Sequence, residues 1–197
     1  MTAGRTNSKA LSQHWCTPPM YVEAVREVLG QINLDPCSNQ YSVVGASTEY
    51  RLPKHDGLVE SWNFETIYLN PPYGKDHERG TRIKDWLAKC REANHLHGSE
   101  ILALVPVATN TSHWKENVWG VATAVAFLYD TRLKFLVNGE DSGKGAPMSC
   151  AMIYWGEKRM SSFRKVFSRF GAVVDLSDLK SSLDKREIVT QRNLFKT

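Results

Sequence analysis

The feature that most constrains the fold is the unbroken apolar run ILALVPV at residues 101–107. An apolar run without alternating polar residues is typical of a strand that is buried on both faces of its sheet. Such a sheet needs helices on both sides, and the chain supplies amphipathic helical segments between its apolar strands. We therefore predict an α/β sandwich around a mostly parallel sheet flanked by helices.

The remaining elements follow from periodicity and from glycine and proline positions. Further strands are predicted at residues 32–34, 66–70, 124–130, 148–155 and 172–176. Helices are predicted at residues 21–29, 83–93, 113–119 and 161–171. The last helix is expected to have a serine cap and to stop at Gly171. Residues 37–63 carry no clear element.

The length of 197 residues fits one domain. We expect a single domain at 14–180, a flexible N-terminal tail at 1–13, and a C-terminal tail or short helix at 181–197. A hydrophobic content of 42% suffices for a core. The formal charge of +4 is compatible with a polyanionic partner without requiring one.

Several classes of protein are excluded by composition. The four cysteines are scattered without a CxxC pair, which indicates reduced thiols rather than a disulfide framework or a zinc site. His95 and His97 lie two apart and would not share a helix face, so no metal site is expected. No apolar run is long enough to cross a bilayer, and no signal peptide is recognisable. We expect a cytoplasmic monomer.

Two candidate site segments follow predicted strands, namely Asp35-Pro36 and the Asn-Pro-Pro at residues 70–72. Ligands of open α/β sheets bind in the crevice beyond the carboxyl ends of the strands. Because the strands are expected to run in parallel, both segments are predicted to lie at the same edge of the sheet.

The segment YLNPPYG at residues 68–74 forms a rigid corner with specific chemistry. Asn70 and Pro71 each precede a proline, so the directions of their carbonyl groups are nearly fixed. The Asn70 side chain adds its amide oxygen as a second type of neutral acceptor. Together with a fixed backbone carbonyl, this oxygen suits hydrogen bonding to both hydrogens of a planar amino group. Tyr73 offers a flat face for stacking on a ring. The alternative is a strand-to-loop turn with a packed tyrosine.

The ordered motifs of residues 14–156 resemble those of phage-type, Dam-like DNA N-6-adenine methyltransferases. These motifs are WCTPPMYV, LDPCSN, HDGL followed by a tryptophan, IYLNPPYG, a helix with DW, LVPVATNTSHW, RLKF and APMSCAMIYW. The resemblance implies a Rossmann-like fold, usually of seven strands with an antiparallel last strand, and S-adenosylmethionine as cofactor. It also implies double-stranded DNA as partner and a phage-borne role in protecting DNA from restriction.

The resemblance assigns residues to roles. The catalytic tetrapeptide is Asn70, Pro71, Pro72 and Tyr73. The cofactor-binding set is Thr17, Pro18, Asp35, Pro36, Cys37, Asp56 and Asn70. Candidate DNA contacts are Lys75, Arg79, Arg82, Trp114 and Phe135.

Each assignment has a structural alternative. The loop after the first strand is DPCSN rather than a glycine-rich turn, which fits a cofactor without phosphates but leaves its contacts open. The alternative for Asp35 is an Asp-Pro turn, for Asp56 an Asp-Gly turn or cap, and for Thr17 capping of the following helix. The alternative for Lys75, Arg79 and Arg82 is a solvated loop.

The aromatic candidates and the glycine-rich loop have alternatives of the same kind. Trp114 is favoured as a core tryptophan, and Phe135 suits a target-base pocket or core packing equally well. The segment NGEDSGKGAP at 138–147 is either a mobile loop over DNA or an ordinary connection.

The mechanism expected from these residues is direct methyl transfer to adenine N6. The base is flipped out, its amino group is held by Asn70 and Pro71, and no general base or metal is needed. Neither the 35–70 interval nor the C-terminal part has room for a separate recognition domain, so specificity should be short or relaxed. Other acceptors remain open: cytosine N4, RNA or a protein glutamine. An inactive nucleic-acid-binding relative and a small-molecule enzyme also remain open.

Overall fold

The computed structural model describes residues 15–129, 133–141 and 148–179. The tails predicted at 1–13 and 181–197, and residues 142–147 of the glycine-rich loop, lie outside these ranges.

Ten strands and four helices form within the described residues. The strands are β1 (Trp15–Cys16), β2 (Leu34–Asp35), β3 (Thr48–Glu49), β4 (Thr66–Leu69), β5 (Glu100–Pro106), β6 (Ala124–Leu128), β7 (Leu136–Val137), β8 (Glu140–Asp141), β9 (Cys150–Trp155) and β10 (Gly171–Asp175). The helices are α1 (Pro19–Leu29), α2 (Ile83–His97), α3 (Ser112–Asn117) and α4 (Met160–Phe167).

A seven-stranded sheet has the spatial order β3-β2-β4-β5-β9-β6-β10. The pairs β2–β3, β2–β4 and β4–β5 are parallel. Strand β9 is antiparallel to both β5 and β6, so β6 runs parallel to β5. The last strand, β10, is antiparallel to β6. The predicted mostly parallel sheet is therefore confirmed. The strand predicted at 148–155 forms as β9, but its antiparallel direction was not predicted.

The sheet is covered on both faces, as the run at 101–107 predicted. Along β5, Leu102 and Leu104 pack in one core with residues of α1 and α4. The alternating residues Ile101 and Val105 pack in a second core with residues of α2 and α3. Every one of these side chains is fully buried, which explains why β5 lacks polar residues along its centre.

Helix boundaries differ from the predictions at glycine and proline positions. Helix α1 begins at Pro19 rather than residue 21, because proline is well tolerated in the first helical turn. Helix α2 continues past residue 93 to His97 and ends at Gly98, whose φ of 65° lies in the left-handed region. Helix α4 has Arg159 at its N-cap without a side-chain cap, so the predicted serine cap is wrong.

Gly171 starts a strand instead of simply ending a helix. It is the first residue of β10 and pairs with Leu128 of β6. A Cβ atom at this position would lie 2.0 Å from the Phe127 carbonyl oxygen, so only glycine permits this close pairing of strands.

A second, three-stranded sheet has the order β1-β7-β8 and was not predicted. Trp15 of β1 pairs with Val137 of β7, and β7 and β8 form a hairpin. Its turn residues Asn138 and Gly139 have φ angles of 54° and 83°, the backbone sign that tight hairpins require. This small sheet joins the start of the described chain to residues more than a hundred positions later.

Candidate active site

The two proline-containing segments meet at one edge of the sheet, as predicted. Leu34 of β2 is in parallel register with Ile67 of β4, so both strands end on the same side. Asp35-Pro36 and Asn70 therefore emerge next to each other, which is the usual position of a ligand site in this architecture.

Asn70 is held in one orientation by the backbone of β1. Its side-chain Nδ2 donates to the Trp15 carbonyl oxygen over 3.2 Å. Exchanging the amide nitrogen and oxygen would place two oxygens together, so this contact fixes the orientation of the amide. Within the described chain the Oδ1 atom has no hydrogen-bond donor and remains available to accept one.

Tyr73 is anchored by its hydroxyl group and surrounded by aromatic rings. The hydroxyl donates to the Leu104 carbonyl oxygen over 3.2 Å, and burial raises the pKa of this phenol well above its ordinary value. The ring makes edge contacts with Trp15 and Phe135 at centroid distances of 6.2 and 5.7 Å. These contacts position Tyr73 firmly, while its stacking on a target base stays a prediction.

Thr17 does not cap helix α1. Pro18 occupies the N-cap without a side-chain cap bond. The Thr17 hydroxyl is instead buried and lies 2.7 Å from the hydroxyl of Tyr68, two residues before Asn70. Thr17 therefore connects the segment after β1 to β4 close to the corner.

A cavity of about 400 Å³, called the larger cavity below, lies beside the corner. Its walls are Pro36, Cys37, Ser38, Asn39, Gln40, Tyr50, Arg51, Leu52, His55, Gly57, Pro72, Asp76, Arg79 and Trp86. The volume is within the range of small-molecule sites, and the walls combine aromatic and apolar surface with a few polar groups. Pro36 and Cys37, both predicted to bind cofactor, thus line it.

Asp35 lies behind the larger cavity as a buried carboxyl group. It is 4% exposed, accepts a hydrogen bond from the Cys37 backbone N–H over 3.1 Å and is approached by the Ser42 hydroxyl. Burial raises the pKa of Asp35 to about 7, and the Cys37 bond acts in the opposite direction. Burial likewise raises the pKa of the Cys37 thiol, so this cysteine is a neutral wall residue.

Asp56 forms an ion pair with Arg79, which lines the larger cavity. The same Asp56 oxygen accepts the Leu58 backbone N–H over 2.9 Å, which is an Asx turn. Arg79 also approaches the Asp76 carboxylate at 3.7 Å. Arg79 was predicted as a DNA contact, and the structure places it in the cavity wall with two carboxylates.

The other predicted DNA contacts have different environments. Lys75 and Arg82 are exposed beside the corner. Phe135 is buried and stacks on Trp15 with ring centroids 5.1 Å apart. Trp114 is fully buried between Trp119 and Phe127, so the core alternative holds and we do not retain Trp114 as a DNA contact.

Sequence reasoning missed three residues of the site. Trp15 supplies the oxygen that orients Asn70, and its place in the WCTPP motif was the available signal. Asn39 lines the larger cavity from the loop after β2. Gly57 allows close approach of two loops, because a Cβ there would lie 1.8 Å from the Pro36 carbonyl oxygen. A glycine that is required by contact with a residue distant in the sequence produces no recognisable sequence pattern.

Within the described residues no three or more His, Cys, Asp and Glu side chains are grouped to hold a metal ion. Across the same part of the chain no helix has the length and apolarity to cross a membrane. None of the four cysteines, all of which are described, forms a disulfide.

A family model described as DNA N-6-adenine-methyltransferase (Dam) matches residues 4–182. The chain belongs to this family. The resemblance deduced from the ordered motifs is thereby confirmed, and the match extends on both sides of the motif region. No curated protein sequence matches the chain. Membership in the Dam family supports an enzyme that methylates adenine in DNA, and it places Asn70 and the larger cavity within the matched region.

Proposed function

We propose that this protein transfers a methyl group from S-adenosylmethionine to the N6 amino group of adenine in double-stranded DNA, with short or relaxed sequence specificity. The observation that carries the proposal is the orientation of Asn70. Its Nδ2 is bound to the Trp15 carbonyl, and its Oδ1 is left available at the strand end. Asn70 lines a small cavity that shares Pro72 with the ligand-sized larger cavity.

The larger cavity fits the proposed cofactor in size and chemistry. Tyr50, Leu52 and Trp86 supply flat and apolar surface for a purine, and the DPCSN loop has no glycine-rich phosphate cradle. S-adenosylmethionine carries no phosphate and supplies a methyl group on a positively charged sulfur. Asp35, Pro36, Cys37 and Asp56 are the residues we assign to its surroundings.

For this reaction the protein must hold the acceptor nitrogen and stabilise the positive charge that develops on it. The Asn70 Oδ1 and the Pro71 carbonyl can accept the two N–H bonds of the adenine amino group. These acceptors favour a pyramidal nitrogen and stabilise its growing positive charge. Fixed geometry contributes up to about 7–11 kcal/mol in well-oriented systems. The proton then leaves to water, so no strong base is required.

The target base must leave the duplex to reach Asn70, at a cost of a few kcal/mol. Stacking on Tyr73 would offset part of that cost, with Lys75 and Arg82 near the DNA backbone. Among the described residues, we assign the reading of neighbouring bases to loops at this edge of the sheet. Sequencing of modified adenines in cells that express the protein should therefore show short sites, and one long strict site would contradict this.

The central experiment measures methyl transfer from labelled cofactor to adenine-containing duplex DNA. We expect Asn70→Ala to reduce kcat by at least about a hundred-fold, as loss of one preorganised charge-stabilising group does in other enzymes. Asn63→Ala, an exposed asparagine before β4, is the matched control and should keep the parental rate. Equal activity of Asn70→Ala and the parent would refute the proposal.

The acceptor is identified from the same labelled product. DNA digested to nucleosides should carry the label on adenosine N6. Label on cytidine, on RNA or on protein glutamine would identify that group as the acceptor instead of adenine. Turnover that does not depend on added DNA would indicate a small-molecule enzyme.

A further inference from the structure

Asn39 stands where two cavities meet. A smaller cavity of about 10 Å³ lies at the corner and is lined by Trp15, Cys37, Asn39, Asn70, Pro71, Pro72 and Tyr73. Three of these residues, Cys37, Asn39 and Pro72, also line the larger cavity. Asn39 is therefore part of the wall of both cavities.

The Asn39 side chain has a fixed orientation. Its Oδ1 accepts a hydrogen bond from the Tyr41 backbone N–H over 2.8 Å, and the Cys16 thiol approaches the same oxygen at 3.5 Å. Exchanging the amide nitrogen and oxygen would set an amino group against a backbone N–H, so the orientation is unambiguous. The Nδ2 group of Asn39 has no acceptor among the residues that the structure describes.

Asn39 and Asn70 both line the smaller cavity, and the amide groups that they leave without a hydrogen bond have opposite polarity. The Asn39 Oδ1 accepts the backbone N–H of Tyr41, so the Nδ2 of Asn39 is left as a donor. The Asn70 Nδ2 donates to the backbone carbonyl of Trp15, so the Oδ1 of Asn70 is left as an acceptor. Because the cavity has room for about one water molecule, it suits the reacting group alone, with the ring of the base at its mouth.

We propose that Asn39 is a second base-reading residue, whose Nδ2 donates to the ring nitrogen adjacent to the target amino group. In adenine this acceptor is N1, next to the N6 amino group that Asn70 binds. The inference rests on the proposed function and assigns a residue that selects its substrate.

The two amides together recognise one edge of a nucleobase. Adenine and cytosine place an amino donor beside a ring-nitrogen acceptor, which complements the acceptor of Asn70 and the donor of Asn39. Guanine and thymine place an oxygen acceptor beside a ring N–H donor, which would set like groups against each other. The pair thus selects bases that carry a methylatable amino group over bases that carry an oxygen there.

The test compares duplex DNA containing adenine with the same duplex containing 1-deazaadenine, in which a C–H group replaces N1. The parent should lose roughly ten-fold in kcat/KM on the analogue, the size expected for one hydrogen bond in an enclosed site. The ratio between the two substrates is the readout, because the analogue also changes the intrinsic reactivity of the amino group.

Asn39→Asp is the informative variant. It keeps an oxygen for the Tyr41 N–H and nearly the same shape, but it replaces the donor with an acceptor. We expect its preference for adenine to vanish or to reverse, because an acceptor would repel N1 but not a C–H group. Asn63→Ala should keep the parental ratio, and Asn39→Ala should lose the preference.

Three results would overturn the proposal. If the Asn39 variants retain the parental ratio while KM for the cofactor rises, Nδ2 serves the cofactor carboxylate instead. If they retain the ratio with no change in KM, Asn39 is only a structural residue. If the parent itself transfers no methyl to adenine DNA, the proposed function fails first, and the base-reading role fails with it.

Discussion

At the scale of single residues, Asp35 is a buried carboxyl group whose charge depends on what occupies the larger cavity. Burial raises its pKa to about 7, so the side chain is mostly protonated below neutral pH and ionised above it. The proposed cofactor carries a net positive charge, because its sulfonium and ammonium groups outweigh its carboxylate. A cation nearby favours the ionised form of Asp35.

Cofactor affinity should therefore increase as pH rises towards 7 and level off above it, where Asp35 is already ionised without cofactor. Linkage of a single proton limits the effect to about ten-fold per pH unit, and Asp35→Asn should remove the pH dependence and bind more weakly above pH 7. Calorimetry with the parent and Asp35→Asn between pH 6 and 8 measures both. An unchanged pH profile in the variant would show that Asp35 is not the linked group.

The same residue predicts the pH dependence of stability. The pKa of Asp35 is about 7 in the folded protein and 3.8 in its unperturbed form, so between these values the folded state binds more protons. The contribution of Asp35 is therefore present at low pH and is lost as pH rises towards 7, by roughly 4 kcal/mol at most. Urea unfolding at pH 5 and 7.5 should show a smaller decline for Asp35→Asn than for the parent.

Gly57 is required for space between two loops. An alanine Cβ would lie 1.8 Å from the Pro36 carbonyl oxygen and 3.2 Å from the Trp86 ring, so the cavity wall must move. Gly57→Ala should reduce stability by about 1–3 kcal/mol and weaken cofactor binding.

Gly30→Ala is the matched control for Gly57. It has a φ of 75° with open space around it, so we expect a backbone cost of about 1 kcal/mol and unchanged cofactor affinity. Parental cofactor affinity in Gly57→Ala would contradict the role assigned to this close approach.

At the scale of elements, two loops enclose the larger cavity and are tied together by charge. The loop before β4 carries Asp56, and the loop between β4 and α2 carries Asp76 and Arg79. Asp76 accepts the backbone N–H groups of Glu78 and Arg79 at 3.0 and 3.1 Å, which folds the second loop around it. Arg79 then connects this folded loop to Asp56.

Breaking this connection should weaken cofactor binding. Asp56→Asn and Arg79→Gln should each lower cofactor affinity several-fold, and the double variant should lose little more, giving a coupling of about 1 kcal/mol. Side-chain exposures of 21% and 29% leave the pair partly open to salt, so high salt should reduce the difference from the parent. Strictly additive effects would show that the two loops act independently.

Long, periodic elements were predictable, whereas contacts between distant residues were not. Strand β5 and helices α1 and α2 carry enough apolar residues to reveal their faces. Strands β1 and β7 have two residues each, which is too short for any periodicity. The bond from Asn70 to Trp15 spans 55 positions and depends on a backbone carbonyl, which every residue has. The corner was therefore predictable, and the contact that orients it was not.

At the scale of the whole molecule, stability and chemistry lie at opposite ends of the sheet. Glu100, 1% exposed at the start of β5, accepts the Tyr154 hydroxyl over 2.5 Å and the backbone N–H groups of Glu157 and Lys158 at 3.0 and 3.2 Å. This network secures the connection after β9, far along the strands from Asn70.

Glu100→Ala should lower the free energy of unfolding by about 3 kcal/mol, because it leaves several buried donors without an acceptor. Glu100→Gln keeps an amide oxygen and should lose less. Below the unfolding temperature both variants should keep the parental kcat, since Glu100 does not touch the site. A reduced kcat in fully folded Glu100→Gln would show that the two ends of the sheet are coupled.

The pairing of β1 with β7 also governs when the site is completed. Trp15, which orients Asn70, is itself held in the small sheet by Val137. During synthesis the corner, the walls of the larger cavity and the first six strands all leave the ribosome before Val137 does. Because chains fold progressively from their N-terminus, we expect the cavity walls to be in place before Asn70 is oriented. The proposed methyl transfer should therefore begin only after Val137 has joined the small sheet.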